Sequence, residues 1–78
     1  MYLITFHSNF DANRLQSKLK GLGEVKRKPV PRYLSASCGT CIIFTPDGEY
    51  PLEKLMEEDF EGIYIEEGDS YRLLKEKE

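Results

Sequence analysis

The strongest constraint on the fold is the order in which short apolar runs and helical patterns alternate along the chain. Residues 2–6 form an unbroken apolar, aromatic and β-branched run, which predicts a buried strand. A helical spacing follows and predicts a helix over 10–21, with Gly21 and Gly23 ending it. The apolar positions of that helix are Phe10, Ala12, Leu15, Leu19 and Leu22.

Two prolines decide the place of the next strand. The segment Glu24 to Pro31 has strand character, but Pro29 and Pro31 cannot donate backbone hydrogen bonds. If this segment is a strand, it therefore lies at an edge of the sheet. Cys41 to Phe44 is again unbroken and apolar, which is typical of a central strand, and the turn residues 46–48 end it.

The second half of the chain repeats the pattern. Pro51 suits the first turn of a helix, whose apolar face comprises Leu52, Leu55, Met56 and Phe60. Residues 63–65 predict a fourth strand, and residues 71–74 predict either an edge strand or a terminal turn. The last four residues, 75–78, are all charged and are expected to be solvated.

The predicted elements follow the order of a split βαβ unit: strand, helix, strand, strand, helix, strand. We predict an α+β fold, the ferredoxin-like plait βαββαβ, with both helices on one face of a mostly antiparallel sheet and room for an extra C-terminal strand. The strand order is then 4-1-3-2, which leaves the proline-bearing strand at an edge. Residues 1–74 would form a single domain and residues 75–78 a charged tail.

Length and composition narrow the classes of function. A chain of 78 residues with 40% hydrophobic residues supports one modest core and excludes a two-domain enzyme. No apolar run reaches the roughly 18 residues of a membrane helix, and residues 2–6 make no secretion signal. We therefore expect a cytoplasmic protein with no membrane partner. Basic residues dominate 1–41 and acidic residues dominate 42–78, which permits a basic face for an anionic partner.

The predicted topology gathers chemically active residues at one rim of the sheet. The first strand ends at His7 and the third begins near Cys41, and antiparallel neighbours place those two ends together. The first helix begins at the same rim with unpaired backbone N–H groups, and the loop from Pro31 to Thr40 crosses it. The binding candidates at this rim are Arg32, Ser35, Ser37, Gly39, Ser8 and Asn9.

Cys38 is the leading candidate for a reactive residue. The thiolate is the attacking species, and a helix N-terminus, an imidazolium or a guanidinium lowers a thiol pKa from about 8.5. His7 could tune the thiol or simply cap the strand. Cys38 and Cys41 can instead be small buried hydrophobes, and their C-x-x-C spacing also permits a disulfide in which Cys41 takes part.

Other chemistries match the chain less well. Two Cys and one His supply three soft ligands where a structural zinc site needs four, so no metal or cofactor is expected. A cysteine phosphatase would need an Arg where the chain has Phe44, and no Walker loop is present. The third strand lacks the basic and aromatic RNA-binding signature, so no nucleic-acid partner is expected. The basic run Lys26 to Lys28 most simply keeps an edge strand soluble and unpaired.

Two segments resemble a known family. They are Thr5 to Ser8 and the loop Pro29 to Gly39, which reads P-V-P-R-x-L-S-x-S-C-G. They are similar to the selenium/sulfur carrier-like family of small prokaryotic proteins, and the similarity covers nearly the whole chain. The resemblance places the family's cysteine on Cys38. It implies no resolving role for Cys41, which lies outside the motif.

The resemblance implies a small cysteine-based carrier of sulfur or selenium rather than a self-contained enzyme. Cys38 would hold the atom as a persulfide or selenopersulfide, taken from a donor protein and passed to an acceptor protein. Arg32 and Ser37 would stabilise the anionic terminal atom. Two alternatives stay open: a non-catalytic module that docks or binds a small anion, and a thiol–disulfide redox protein. The sequence does not determine the oligomeric state.

Overall fold

The computed structural model describes residues 1–34 and 36–77 and contains two helices and five strands among them. In chain order the elements are β1 (Tyr2–Thr5), α1 (Asn9–Leu19), β2 (Gly23–Pro29), β3 (Thr40–Pro46), α2 (Leu52–Met56), β4 (Gly62–Glu67) and β5 (Ser70–Glu76). Each element predicted from the sequence forms, and the optional last segment becomes a strand. Within these described residues, neither helix is long and apolar enough to cross a membrane.

The five strands form one sheet in the order β2-β3-β1-β4-β5, and all four pairings are antiparallel. The predicted order 4-1-3-2 is confirmed within this sheet, and β2 lies at an edge, as its prolines require. The protein is thus an α+β structure with a five-stranded antiparallel sheet. Its assignment to the ferredoxin-like plait stays a prediction, because β5 extends the sheet beyond the four-strand arrangement.

The main core lies between the sheet and the helices. Ile4 of β1 and Ile42 of β3 are register partners, and both are fully buried in a cluster with Leu15 of α1 and Leu55 of α2. Successive residues of a strand point to opposite faces of the sheet, so the strand residues next to Ile4 and Ile42 lie on the face away from the helices. Fully buried residues there are Leu3, Thr5 and Cys41. Burial on both faces explains the unbroken apolar runs of the two central strands.

The apolar face of α1 is narrower than the sequence suggested. Phe10 is 68% exposed and Leu22 is 44% exposed, so both were wrongly placed in the core. Phe10 lies about 200° around the helix from the buried Ala12, since each residue advances the helix by about 100°. The helix ends at Leu19, and Gly21 has a φ of 87°, which turns the chain away before Leu22.

Helix α2 is shorter than predicted. The sequence pattern extended to Phe60, but the helix ends at Met56, and Phe60 is buried from the segment that follows it. Three acidic residues at 57–59 come directly after the helix. Negative charge is unfavourable at a helix C-terminus, where the helix dipole is itself negative, and this accounts for the early end.

The side chains of residues 75 and 76 are exposed, as expected of the predicted charged tail, but their backbone belongs to the sheet; residue 78 lies outside the described residues. Strand β5 extends to Glu76, and the Lys77 N–H donates to the Glu61 carbonyl oxygen at 2.9 Å. The Lys77 Nζ donates to the carbonyl oxygens of Glu58, at 2.8 Å, and Met56, at 3.3 Å, and lies 4.8 Å from the centre of the Phe60 ring. The residues after 74 are therefore part of the packed structure, at least as far as Lys77.

Candidate functional site

Strand register places the ends of β1 and β3 at the same rim of the sheet. Thr5, the last residue of β1, is the register partner of Cys41 in β3, and it also pairs with Gly62, the first residue of β4. Pro29 at the end of β2 pairs with Thr40. The loop between those two residues therefore crosses the rim where His7 leaves β1.

Glu61 connects the segments that meet at this rim. Its N–H donates to the Thr5 carbonyl oxygen at 2.7 Å, which fixes it beside the end of β1. One carboxylate oxygen accepts the Ser37 N–H and the other accepts the Ser37 hydroxyl, both at 2.8 Å. The second oxygen also lies 3.4 Å from Nδ1 of His7. A single carboxylate thus holds His7 and Ser37, two of the residues predicted for the site.

The electrostatics of Glu61 favour its charged form. Burial raises the pKa of this carboxyl, but the two hydrogen bonds from Ser37 and the nearby His7 lower it more, and the net direction is down. His7 places Nε2 3.3 Å from the Lys77 carbonyl oxygen on its other side. Both neighbours of the ring are acceptors, so each contact is a hydrogen bond only when the facing ring nitrogen carries a proton.

Cys38 follows Ser37 directly and is half-buried against the main core. Its Sγ lies 3.3 Å from the Thr40 carbonyl oxygen, to which the thiol donates. Gly39, the next residue, has a φ of 71°, and nothing lies within 4 Å of a Cβ built on it. A left-handed backbone with open space above it allows another molecule to approach the chain beside the sulfur atom.

Cys41 has a different environment. It is fully buried, and its Sγ lies 3.7 Å from the Pro29 carbonyl oxygen. Burial and, to a smaller extent, the neighbouring Cys38 raise the pKa of the Cys41 thiol, Lys28 and Arg27 partly offset the rise, and the net value is about 11. Both cysteines are free thiols. These surroundings suit the interpretation of Cys41 as a small packed hydrophobe, and its proposed chemical role stays a prediction.

Of the other predicted residues, Ser8, Asn9 and Arg32 form no hydrogen bond with the Cys38 sulfur, whose partner is the Thr40 carbonyl oxygen. The Ser8 hydroxyl accepts the Asp11 N–H at 3.3 Å and so caps α1, while Asn9 is the exposed first residue of that helix. Arg32 is exposed and makes no hydrogen bond or ion pair with the described residues. Ser35 lies outside the described residues. Within residues 1–34 and 36–77, no three His, Cys, Asp or Glu side chains are grouped to hold a metal ion.

Glu61 is the residue that sequence reasoning missed. The acidic second half offered no recognisable motif, and Glu61 is one of twelve acidic residues there. A usable signal was nevertheless present. In the predicted order the fourth strand lies antiparallel beside the first, so the residue before the fourth strand lies at the rim where the first strand ends.

Comparison with known proteins gives one match. Residues 1–67 match the model of a family described as "Putative Se/S carrier protein-like". The matched part contains His7, Cys38 and Glu61 and ends before β5. Neither the curated proteins nor the solved structures include a match to this chain.

Proposed function

Because this chain belongs to the family described as "Putative Se/S carrier protein-like", we propose that it carries sulfur or selenium on Cys38 as a persulfide or selenopersulfide. The family was identified from the loop motif around this cysteine, and the family model matches most of the chain. A carrier family implies a donor and an acceptor as partners. We place this exchange in the cytoplasm, between two partner proteins.

The contrast between the two cysteines carries the proposal. Cys38 is half-buried on a loop, whereas Cys41 is sealed in the sheet. A carrier thiol must reach the sulfur of another protein and afterwards present the loaded atom to a third. Of the two thiols only Cys38 has access to solvent.

Loading proceeds by exchange between thiolate and persulfide. The Cys38 thiolate attacks the terminal sulfur of a donor persulfide, forming a new S–S bond while the donor's own S–S bond breaks and the donor leaves as a thiolate. Delivery repeats the step with an acceptor thiolate attacking the terminal sulfur of Cys38. The transferred atom keeps its oxidation state throughout, so neither step needs an oxidant or a reductant.

Glu61 positions the loop that carries Cys38. Its carboxylate accepts both the backbone N–H and the hydroxyl of Ser37. Ser37 therefore supports the loop, whereas the sequence had suggested that it donates to the cargo. The expected role of Arg32 in stabilising the negative terminal atom stays a prediction; its side chain is exposed and forms no ion pair with the described residues. His7 acts through Glu61.

A second route of release uses Cys41. Attack of its thiolate on Cys38 Sγ would form a Cys38–Cys41 disulfide and expel the cargo as hydrogen sulfide or selenide, with two thiols oxidised and the cargo reduced by two electrons. An external dithiol would then have to restore the protein. Burial of Cys41 and a thiol pKa of about 11 leave little thiolate at neutral pH, so direct exchange is the favoured route.

The test is loading by a cysteine desulfurase supplied with cysteine, followed by mass spectrometry of the intact protein. The proposal expects an adduct of one sulfur atom that reducing agent removes. Cys38→Ser should abolish the adduct and Cys41→Ser should retain it. Absence of an adduct on the native protein would reject carriage and favour a docking module, whereas rapid formation of a Cys38–Cys41 disulfide would favour a redox protein.

A further inference from the structure

A shallow cleft of about 350 Å³ opens beside Cys38, where β2 ends and β3 begins. The residues that line it are Arg27, Lys28, Pro29, Gly39 and Thr40. Gly39 and Thr40 come directly after Cys38, and the Cys38 Sγ lies 3.3 Å from the Thr40 carbonyl oxygen. We name this feature the 27–40 cleft. Its lining contains two cations and no carboxylate.

Neutral groups hold Arg27, the first of these cations. Its Nη1 donates to the side-chain oxygens of Asn13, at 2.8 Å, and Gln16, at 3.0 Å, both amides of α1. Its Nε is buried without a hydrogen-bond partner among the described residues. Amide partners fix the orientation of the guanidinium group without cancelling its charge. A desolvated cation of this kind attracts an anion more strongly than a fully hydrated one.

Lys28, the second cation, is exposed and forms no ion pair with the described residues. Its neighbour Lys26 differs, because the Lys26 ammonium lies 3.6 Å from the Glu24 carboxylate. Lys28 is the register partner of Cys41 in the adjacent strand, and both Lys28 and Arg27 act on the Cys41 thiol electrostatically. Among the described residues no carboxylate pairs with either cation, so the positive charge at this strand end is uncompensated. Successive strand residues face opposite ways, so Arg27 and Lys28 flank the end of β2 from its two faces.

We propose that the 27–40 cleft binds the anionic group of the molecule that reacts at Cys38. The ligand class is a carboxylate or another oxyanion located within a few bonds of the reacting sulfur or selenium. Such a group belongs either to a small anionic thiol compound or to an acidic side chain beside the partner's reactive residue. The proposal rests on the proposed function only in taking Cys38 as the reacting thiol.

The experiment compares two alkylating reagents that attack the same sulfur and differ in charge. Iodoacetate carries a carboxylate and iodoacetamide is neutral, so the ratio of their rates at Cys38 cancels any change in thiolate content. Peptide mass spectrometry assigns the label to Cys38. Lys28→Gln should lower the ratio by about threefold, the effect of one charge several ångströms away in a partly solvated site. Lys54→Gln, an exposed lysine of α2, is the matched control and should leave it unchanged.

Further measurements separate the sources of the anion. Protection of Cys38 by inorganic sulfate would support a free small anion. If sulfate gives no protection while mixed disulfides with peptides that place Glu beside Cys also respond to Lys28→Gln, the anion belongs to a partner side chain. An unchanged rate ratio in both Lys28→Gln and Lys28→Glu would overturn the proposal.

If the cleft discriminates by charge while no sulfur is ever loaded, the carrier function fails and the cleft proposal stands. If sulfur is loaded while the ratio stays unchanged, the cleft proposal fails and the carrier function stands.

Discussion

At the residue scale, the site depends on the contacts of one carboxylate. Glu61 accepts two hydrogen bonds from Ser37 and lies beside His7, while its backbone bonds to Thr5 and Lys77. Ser37 belongs to the cysteine loop, Thr5 and His7 lie at the end of β1, and Lys77 directly follows β5. Hydrogen bonds to an ionised group are stronger than those between neutral groups, so Glu61 should dominate the order of the loop.

Glu61→Gln should release the loop that carries Cys38. Glutamine offers one acceptor oxygen where Ser37 now uses two, and it removes the negative charge beside His7. The expected loss in the free energy of unfolding is about 2 kcal/mol, and the Ser37 amide should exchange faster. Urea denaturation and hydrogen exchange measure the two effects. The control Glu67→Gln removes an exposed ion pair with Arg72 and should cost less than about 1 kcal/mol. Equal losses would contradict the special role of Glu61.

The lowered pKa of the Glu61 carboxyl predicts that the stability of the protein depends on pH in the acid range. Its pKa is lowered on folding, so its contribution to stability is complete above the ordinary value of 4.5 and is lost as the pH falls through the folded-state value. The stability difference between the native protein and Glu61→Gln should therefore shrink on acidification below pH 4.5. A difference that stays constant there would show that the charge of Glu61 contributes nothing.

At the element scale, the late segments depend on contacts across the sheet. Helix α2 has only five residues and ends among acidic side chains, an arrangement with little intrinsic stability. Lys77 supplies what the helix lacks, because its ammonium donates to the carbonyl oxygens of Met56 and Glu58 at the helix end. Strand β2 depends instead on close backbone contact with β3.

Lys77→Met tests the first of these dependences. Methionine keeps an apolar side chain against Phe60 but removes both hydrogen bonds and the positive charge at the end of α2. We expect the protein to lose about 1–2 kcal/mol of stability and the amides of the α2 C-terminus to exchange faster. Lys75→Met, at an exposed position of β5 two residues earlier, should have little effect. If both variants behave alike, Lys77 does not stabilise the helix.

Gly23→Ala tests the contact between β2 and β3. A Cβ at Gly23 would lie 2.3 Å from the Thr45 carbonyl oxygen and 2.6 Å from Pro46 Cα, and both are backbone atoms that cannot rotate away. The expected loss is about 3 kcal/mol by thermal or urea unfolding. Gly68→Ala is the control, since a Cβ there meets nothing within 4 Å and only the left-handed φ of 63° opposes it, at about 1–2 kcal/mol. The reverse order of losses would refute the steric argument.

At the scale of the whole molecule, burial of Cys41 couples folding to alkaline pH. The thiol has no exposed surface, so the folded protein favours its neutral form. Its pKa rises from 9.0 to about 11. The stabilising contribution is therefore complete below pH 9.0 and is lost as the pH rises through about 11, because the unfolded chain releases the proton first.

Cys41→Ala isolates this effect. The variant should be less stable than the native protein below pH 9.0, and the gap should narrow by about 2 kcal/mol by the time the pH reaches about 11, since each pKa unit is worth about 1.4 kcal/mol. Urea denaturation under reducing conditions measures the gap. Ile42→Val, a truncation in the same strand that adds or removes no titratable group, should show a constant difference instead. A constant gap for Cys41→Ala would mean that the thiol ionises without unfolding.

The sequence alone determined the strand order, the edge position of β2, the first helix and the family. These follow from local rules: apolar runs mark buried strands, Pro29 and Pro31 exclude a central position, and the loop ending at Gly39 carries a specific motif. The tertiary structure alone decided where α2 ends, which way Phe10 points, how Lys77 is held, and that Glu61 rather than a neighbouring acid binds the cysteine loop. The difference is physical. A proline or an apolar run limits its own segment in any surroundings, whereas a carboxylate becomes part of a site only when the folded sheet brings its partners within hydrogen-bonding distance.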